Sequence, residues 1–176
     1  PDALVLGEVW EDASNKTAYG VRRRHIMGRH CDGLMNYPFR NAVLSYLKGG
    51  DAADFVNAME TLRENYPRFA YYSAMNFLGT HDTARILTLL GAEEGCEHQS
   101  KEWRSNYRLG PDQRRRAKEL LKLGAALMFA FPGSPTVYYG VMARCHKLPT
   151  TSQPSPELFQ RFFLEAAAAG DEVVGI

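Results

Sequence analysis

Four short β-prone runs, parted from one another by stretches of helical period, constrain this chain more than any other feature. Leu4-Val5-Leu6 stops at Gly7-Glu8, with apolar side chains on successive positions as in a strand buried on both faces. Gly33-Leu34-Met35-Asn36 precedes a helix marked by Phe39, Val43, Leu44 and Leu47 and ended by Gly49-Gly50. Tyr71 to Leu78 reads as a third strand that ends at Gly79-Thr80-His81-Asp82, and Thr136 to Gly140 reads as a fourth. Strands alternating with helices predict an α/β fold with a parallel sheet, in which the carboxyl ends of the strands form one ligand-binding face.

The connecting segments follow the same pattern. Asp51 is placed to cap a helix through Phe55, Met59 and Leu62 that stops before Pro67. Thr80 or Asp82 is placed to cap a short helix through Leu87 and Leu90, closed by Gly91. Residues 92–111 read as a surface excursion. Asp112 then opens a long helix with Ala117, Leu120, Leu121, Gly124, Leu127 and Met128 on one face and Arg114, Arg115, Arg116, Lys118 and Lys122 on the other. Polar loops are expected at Glu11–Lys16 and Arg22–His25. A tail without period begins at residue 141, with a helix start at Ser155-Pro156-Glu157.

Composition removes several classes of function. With 21 basic and 20 acidic side chains, a net charge of +1 supplies no field toward nucleic acid or anionic lipid, so the two arginine triplets read as solvated faces. The longest apolar run, Leu123 to Phe131, is far short of the ~20 residues of a membrane span. Cys31, Cys96 and Cys145 are odd in number and widely spaced, which fits a reducing compartment. A cytoplasmic location is expected, with a signal peptide upstream of Pro1 left open. The opening Pro1-Asp2-Ala3 without Met suggests that the native amino terminus lies upstream. The groups His25, His30 and Cys31, Cys96 and His98, and Cys145 and His146 lack the four-ligand spacing of zinc sites, and no dense acidic loop marks a calcium site. No cofactor is expected from these residues.

The remaining signal is a set of acids, with one histidine, at strand ends: Glu8, then His81 and Asp82. Retaining cleavage of a glycosidic bond needs a general acid and a nucleophile about 5–5.5 Å apart, with further groups to stabilise an oxocarbenium-like transition state. Glu8 and Asp82 are of the type required for two such roles. Each residue also has a plainer reading: solvent exposure for Glu8, helix capping for Asp82, a structural histidine for His81 and core packing for Trp10.

Four ordered blocks carry a resemblance. Gly7-Glu8-Val9-Trp10, Asp32 to Phe39 (DGLMNYPF), Asn76 to Thr83 (NFLGTHDT) and Phe131 to Gly140 (FPGSPTVYYG) resemble the α-amylase superfamily of glycoside hydrolases, family 13, and within it the cyclomaltodextrinase and neopullulanase branch. The resemblance implies a (β/α)8 TIM barrel of which this chain is a part, approximately strands five to eight with their helices. A complete barrel takes ~250 residues, against the 176 here. It further implies that Glu8 is the proton donor, Asp82 the acid that stabilises the transition state, and His81 a hydrogen-bonding partner of sugar hydroxyls. Trp10, Asn36, Tyr37 and Arg85 become substrate-binding or supporting residues. The implied substrate is an α-glucan or maltooligosaccharide, with hydrolysis expected over transglycosylation, and calcium occurs in parts of the family.

Two departures accompany the resemblance. The family's nucleophilic Asp, with an Arg two residues before it, would precede Pro1, so the chain is expected to need the N-terminal half of the barrel, or a second copy, to complete the site. The expected domains are therefore 1–140, the C-terminal half of the catalytic barrel, and 141–176, a divergent tail or insertion packed on the same domain. Where the family continues from Tyr-Tyr-Gly into Asp-Glu, this chain has Val141, and Asp171-Glu172 follows only later. A natural insertion, an altered reading frame and coincidence all fit that tail. The competing function is a noncatalytic carbohydrate-binding or structural module derived from a barrel.

Overall fold

The computed structural model describes residues 3–139 apart from Arg29 and Glu94; the tail expected from residue 141 lies outside the described residues. In chain order the elements are β1 (Leu6–Gly7), β2 (Thr17–Ala18), β3 (Val21–Arg22), β4 (Gly33–Leu34), α1 (Tyr37–Leu47), α2 (Ala52–Asn65), α3 (Arg68–Tyr72), β5 (Met75–Asn76), α4 (Ile86–Gly91), a 3-10 turn (Cys96–His98), α5 (Lys101–Asn106), α6 (Pro111–Ala130) and β6 (Ser134–Pro135).

Four strand segments run parallel in the order in which the chain makes them. β1 pairs with β4, Met35 bridges Met75 to bring β4 beside β5, and β5 pairs with β6. Parallel neighbours need long crossovers, and α1 with α2, then α4 to α6, fill those crossovers. Sequential order without a switch of direction is what a barrel wall requires, unlike an open doubly wound sheet.

The helices have legible causes. The Asn36 side chain accepts from Phe39 N at 3.1 Å to cap α1, and Pro38 sits in its first turn. Asp51 caps α2 by accepting from Ala53 N at 2.8 Å, and the inward face of that helix is Phe55, Met59 and Leu62. Gly110 precedes α6, where Gln113 Oε1 accepts from Gly110 N at 2.9 Å. One core joins Val43 and Leu47 of α1, the inward face of α2, Ala117 and Met128 of α6, and Leu34, Leu78 and Ile86. Gly124 lets α6 close on that core, since a Cβ there would lie 2.9 Å from Leu47 Cδ1.

Several expectations need correction. Tyr71 and Tyr72 belong to α3, because Pro67 starts a helix that runs into the expected strand, leaving only Met75–Asn76 extended. The fourth strand is Ser134–Pro135 rather than the β-prone residues that follow it. Val21 and Arg22 pair with Thr17 and Ala18 across a Tyr19-Gly20 turn with both residues at positive φ, so that loop contains a hairpin. Leu4, Val5 and Leu6 are exposed, Leu4 at 73%, rather than buried on both faces. Their run has the composition of an interior strand, but among the described residues β1 pairs with β4 alone.

Candidate active site

Glu8 follows directly on β1, Tyr37 opens α1 just past β4, and His81 and Asp82 lie in the turn beyond β5. The Tyr37 hydroxyl donates to Glu8 Oε1 at 2.8 Å. Its ring lies under Trp10, stacked at 4.3 Å and 16°, and meets Phe77 edge-on at 4.9 Å. With Tyr37 1% exposed, the phenol is pushed up to about 12, first by burial and next by its bond to Glu8. The Thr80 hydroxyl opposes that shift, while the charges of Glu8 and Asp82 both add to it. Two acids 74 positions apart in the sequence thus act on one phenol. Trp10 is half-exposed, so its free surface faces solvent and not the core.

The turn that carries Asp82 is fixed by its own hydroxyls. Thr80 N donates to Thr83 Oγ1 at 2.9 Å, and Asp82 N donates to Thr80 Oγ1 at 3.3 Å. His81 Nε2 lies 3.0 Å from Asp82 Oδ2, with the imidazole on the open side. Neither Thr80 nor Asp82 caps α4, which begins after Arg85 and has no side-chain cap. A carboxylate, an imidazole and an exposed indole on one side of a parallel array can grip sugar hydroxyls, move a proton and stabilise positive charge.

Asn36 is 8% exposed, and its amide is spent on the α1 cap and on donation to Asn76 Oδ1 at 2.8 Å. Asn76 in turn donates to the Pro132 carbonyl at 3.0 Å. This buried amide relay ties together the segments around β4, β5 and β6. Arg40, also buried, donates from Nε to the Leu78 carbonyl at 3.1 Å, holding the segment between β5 and the His81–Asp82 turn. Arg85 lies 5.4 Å over the Tyr138 ring. Sequence reasoning passed over Asn76 and Arg40 as supports; the available signal was a lone polar side chain inside the apolar run of residues 74–78 and a lone cation on the buried face of α1.

Among the described residues, no three His, Cys, Asp or Glu side chains gather where they could hold a metal ion, and no helix is long and apolar enough to cross a membrane. His25 and His30 approach to 6.2 Å between ring centroids. Burial, then the charges of His30, Arg23 and Lys16, hold His25 below its ordinary range. Cys145 and His146 lie outside the described residues.

The chain is similar in sequence and fold to known proteins. The chain is 33% identical over 152 residues to an amylopullulanase of Thermoanaerobacter thermohydrosulfuricus, an alignment that covers 80% of this chain and 9% of that protein. It is 32% identical over 142 residues to a cyclomaltodextrinase of a Bacillus species, covering 80% of this chain and 20% of that one. The chain therefore spans only a small share, a fifth or less, of the curated relatives it matches. Among solved structures, the cyclic α-maltosyl-(1→6)-maltose hydrolase of Arthrobacter globiformis in complex with maltose aligns with a TM-score of 0.60 at 23% identity, over 94% of this chain and 33% of that one. A cyclomaltodextrinase aligns at 0.56 and 27% identity, over 92% of this chain and 24% of that one. The fold shared with these neighbours is that of the (β/α)8 barrel. Because the α-amylase catalytic-domain family model also matches residues 1–147, most of its length, the chain belongs to the α-amylase family of glycoside hydrolases.

Proposed function

We propose that this chain forms part of the active site of an enzyme that hydrolyses α-glucosidic bonds in maltooligosaccharides or related α-glucans with retention of configuration. Glu8 acts as general acid and then general base, Asp82 stabilises the oxocarbenium-like transition state, and His81 holds sugar hydroxyls beside it. Trp10 offers a glucose ring an apolar face, and Tyr37 positions Glu8. Asn36 and Arg85 support the strand ends and the outer rim. The described strands β1, β4, β5 and β6 are assigned to strands five to eight of the barrel, and the nucleophile is assigned to a segment outside these 176 residues. No cofactor is assigned a part in the reaction. The observation that carries this reading is the Tyr37 phenol, hydrogen-bonded to Glu8 and within the field of Asp82.

The test uses the whole protein and maltooligosaccharide substrates. Glu8→Gln is expected to lower kcat by orders of magnitude while oligosaccharide binding remains measurable, and Asp82→Asn to lower kcat/KM to a similar degree. Near-normal turnover in Glu8→Gln would remove Glu8 from its role. Saccharide binding with no hydrolysis by the unaltered protein would favour the noncatalytic carbohydrate-binding module.

A further inference from the structure

The excursion between α4 and α6 holds a second cluster that the reading above does not use. A surface cavity of about 450 Å³ is lined by Ser100, Glu102, Trp103, Asn106 and Tyr107, all on or beside α5. Trp103 and Tyr107, one helical turn apart, stack at 4.5 Å with 22° between their planes. Tyr107 is tied down from several directions. Its backbone N–H donates to the Trp103 carbonyl at 2.9 Å, and its hydroxyl accepts from Gln113 Nε2 of α6 at 3.4 Å. It also packs against a small apolar cluster of Leu89, Ala92 and Cys96. Trp103 is thus the outer layer of a stack anchored on the core, and it stays 38% exposed.

A large aromatic ring held rigid at the surface gives up burial worth about 25 cal/mol per Å² of apolar area left in water. The groups around this one narrow what it fits. An amide, a carboxylate and a hydroxyl border the indole, an arrangement suited to a ligand with one apolar face and a rim of hydroxyls. A pyranose ring has that form: C–H groups on its face and O–H groups around its edge. We propose that the Trp103–Tyr107 platform is a second saccharide-binding site, one that takes glucose units of an α-glucan chain apart from the bond being cleaved. Its ligand class rests on the α-glucan reading of the Glu8–Asp82 site. The excursion belongs to the same β5-to-β6 connection that carries His81 and Asp82.

Affinity electrophoresis of the whole protein through gels containing glycogen tests this, in the Glu8→Gln background so that the polysaccharide is not consumed. Trp103→Ala is expected to weaken glycogen retardation about tenfold at unchanged melting temperature, and Trp103→Phe, which keeps a flat ring, to restore much of it. The double variant Glu102→Ala, Asn106→Ala leaves the aromatic stack in place and is expected to weaken retardation as well. Retardation equal to the parent in both Trp103→Ala and the double variant overturns the site. So does a change of oligomeric state in Trp103→Ala with retardation intact, which would assign the platform to contact between protein copies. If Trp103→Ala melts early, the double variant and Trp103→Phe decide: loss in the first with retention in the second supports the site, and any other pairing overturns it. Failure of the active-site reading is seen separately, as absence of maltooligosaccharide hydrolysis by the unaltered protein.

Discussion

Tyr37 is where burial, hydrogen bonding and charge meet in this protein. Its hydroxyl has one accepting carboxylate, Glu8, and its ring is enclosed between Trp10 and Phe77. An unfolded tyrosine ionises near 10, whereas this phenol holds its proton to about 12. Unfolding therefore releases a proton from it as the pH passes from ~10 to ~12, and by linkage the stability it contributes is full below that window and lost through it. Burial also raises Tyr66 and Tyr71, so they contribute to the same alkaline decline. Tyr37→Phe is expected to make the fall in Tm between pH 10 and 12 shallower without abolishing it, while costing about 1 kcal/mol at neutral pH for the lost bond to Glu8. Thermal melts of the whole protein across that range check this. An identical slope in the variant would mean that the phenol ionises as easily folded as unfolded.

The turn into β6 depends on a residue with no side chain. Gly133 has φ 129°, and a Cβ there would lie 2.6 Å from the Ala74 carbonyl oxygen and 2.7 Å from Asn76 Nδ2. Gly133→Ala would strain the backbone and push β6 off β5, breaking the amide relay through Asn76 to Asn36. The expected loss is about 1–3 kcal/mol, visible as a lower Tm, and an unchanged Tm would show that the turn relaxes without cost. Gly133 was legible in the sequence only as part of a Pro-Gly-Ser-Pro turn, because a close approach of two chains is set by the tertiary fold. The caps Asn36 and Asp51 and the stop at Gly49 were easier to read, since each acts within its own few residues. Strand extents were harder. Tyr71 and Tyr72 have strand-favouring side chains, yet the proline start at Pro67 and the packing of Ala70 draw them into α3. At the candidate site, strand-end position pointed to Glu8, His81 and Asp82, the residues proposed for it. The phenol that connects the two acids could not be inferred from spacing, since Tyr37 reaches Glu8 only after β4 has paired with β1.

At the scale of the whole molecule, the parallel array has two unlike ends. β1 has β4 on one side and β6 has β5 on one side, and among the described residues neither has a strand partner on the other. Apolar side chains are exposed at both ends, Leu4, Val5 and Leu6 in and just before β1 and Val137 beyond β6. A barrel removes such edges by closing on itself, whereas an open parallel edge offers unpaired N–H and C=O groups to any other strand. The proposed occupant of both edges is the rest of the barrel in the whole protein, which would also set a nucleophile beside Glu8. The 176 residues produced alone are therefore expected to self-associate and to show no turnover of maltooligosaccharides. Supplying the remaining barrel residues as a separate polypeptide is expected to yield a soluble complex with restored hydrolysis. Light scattering coupled to size-exclusion chromatography, with a hydrolysis assay on each fraction, reads both outcomes. A monodisperse monomer of the isolated chain with ordinary activity would overturn the reading, because the edges would then be satisfied within the chain and the nucleophile would have to be one of its own acids.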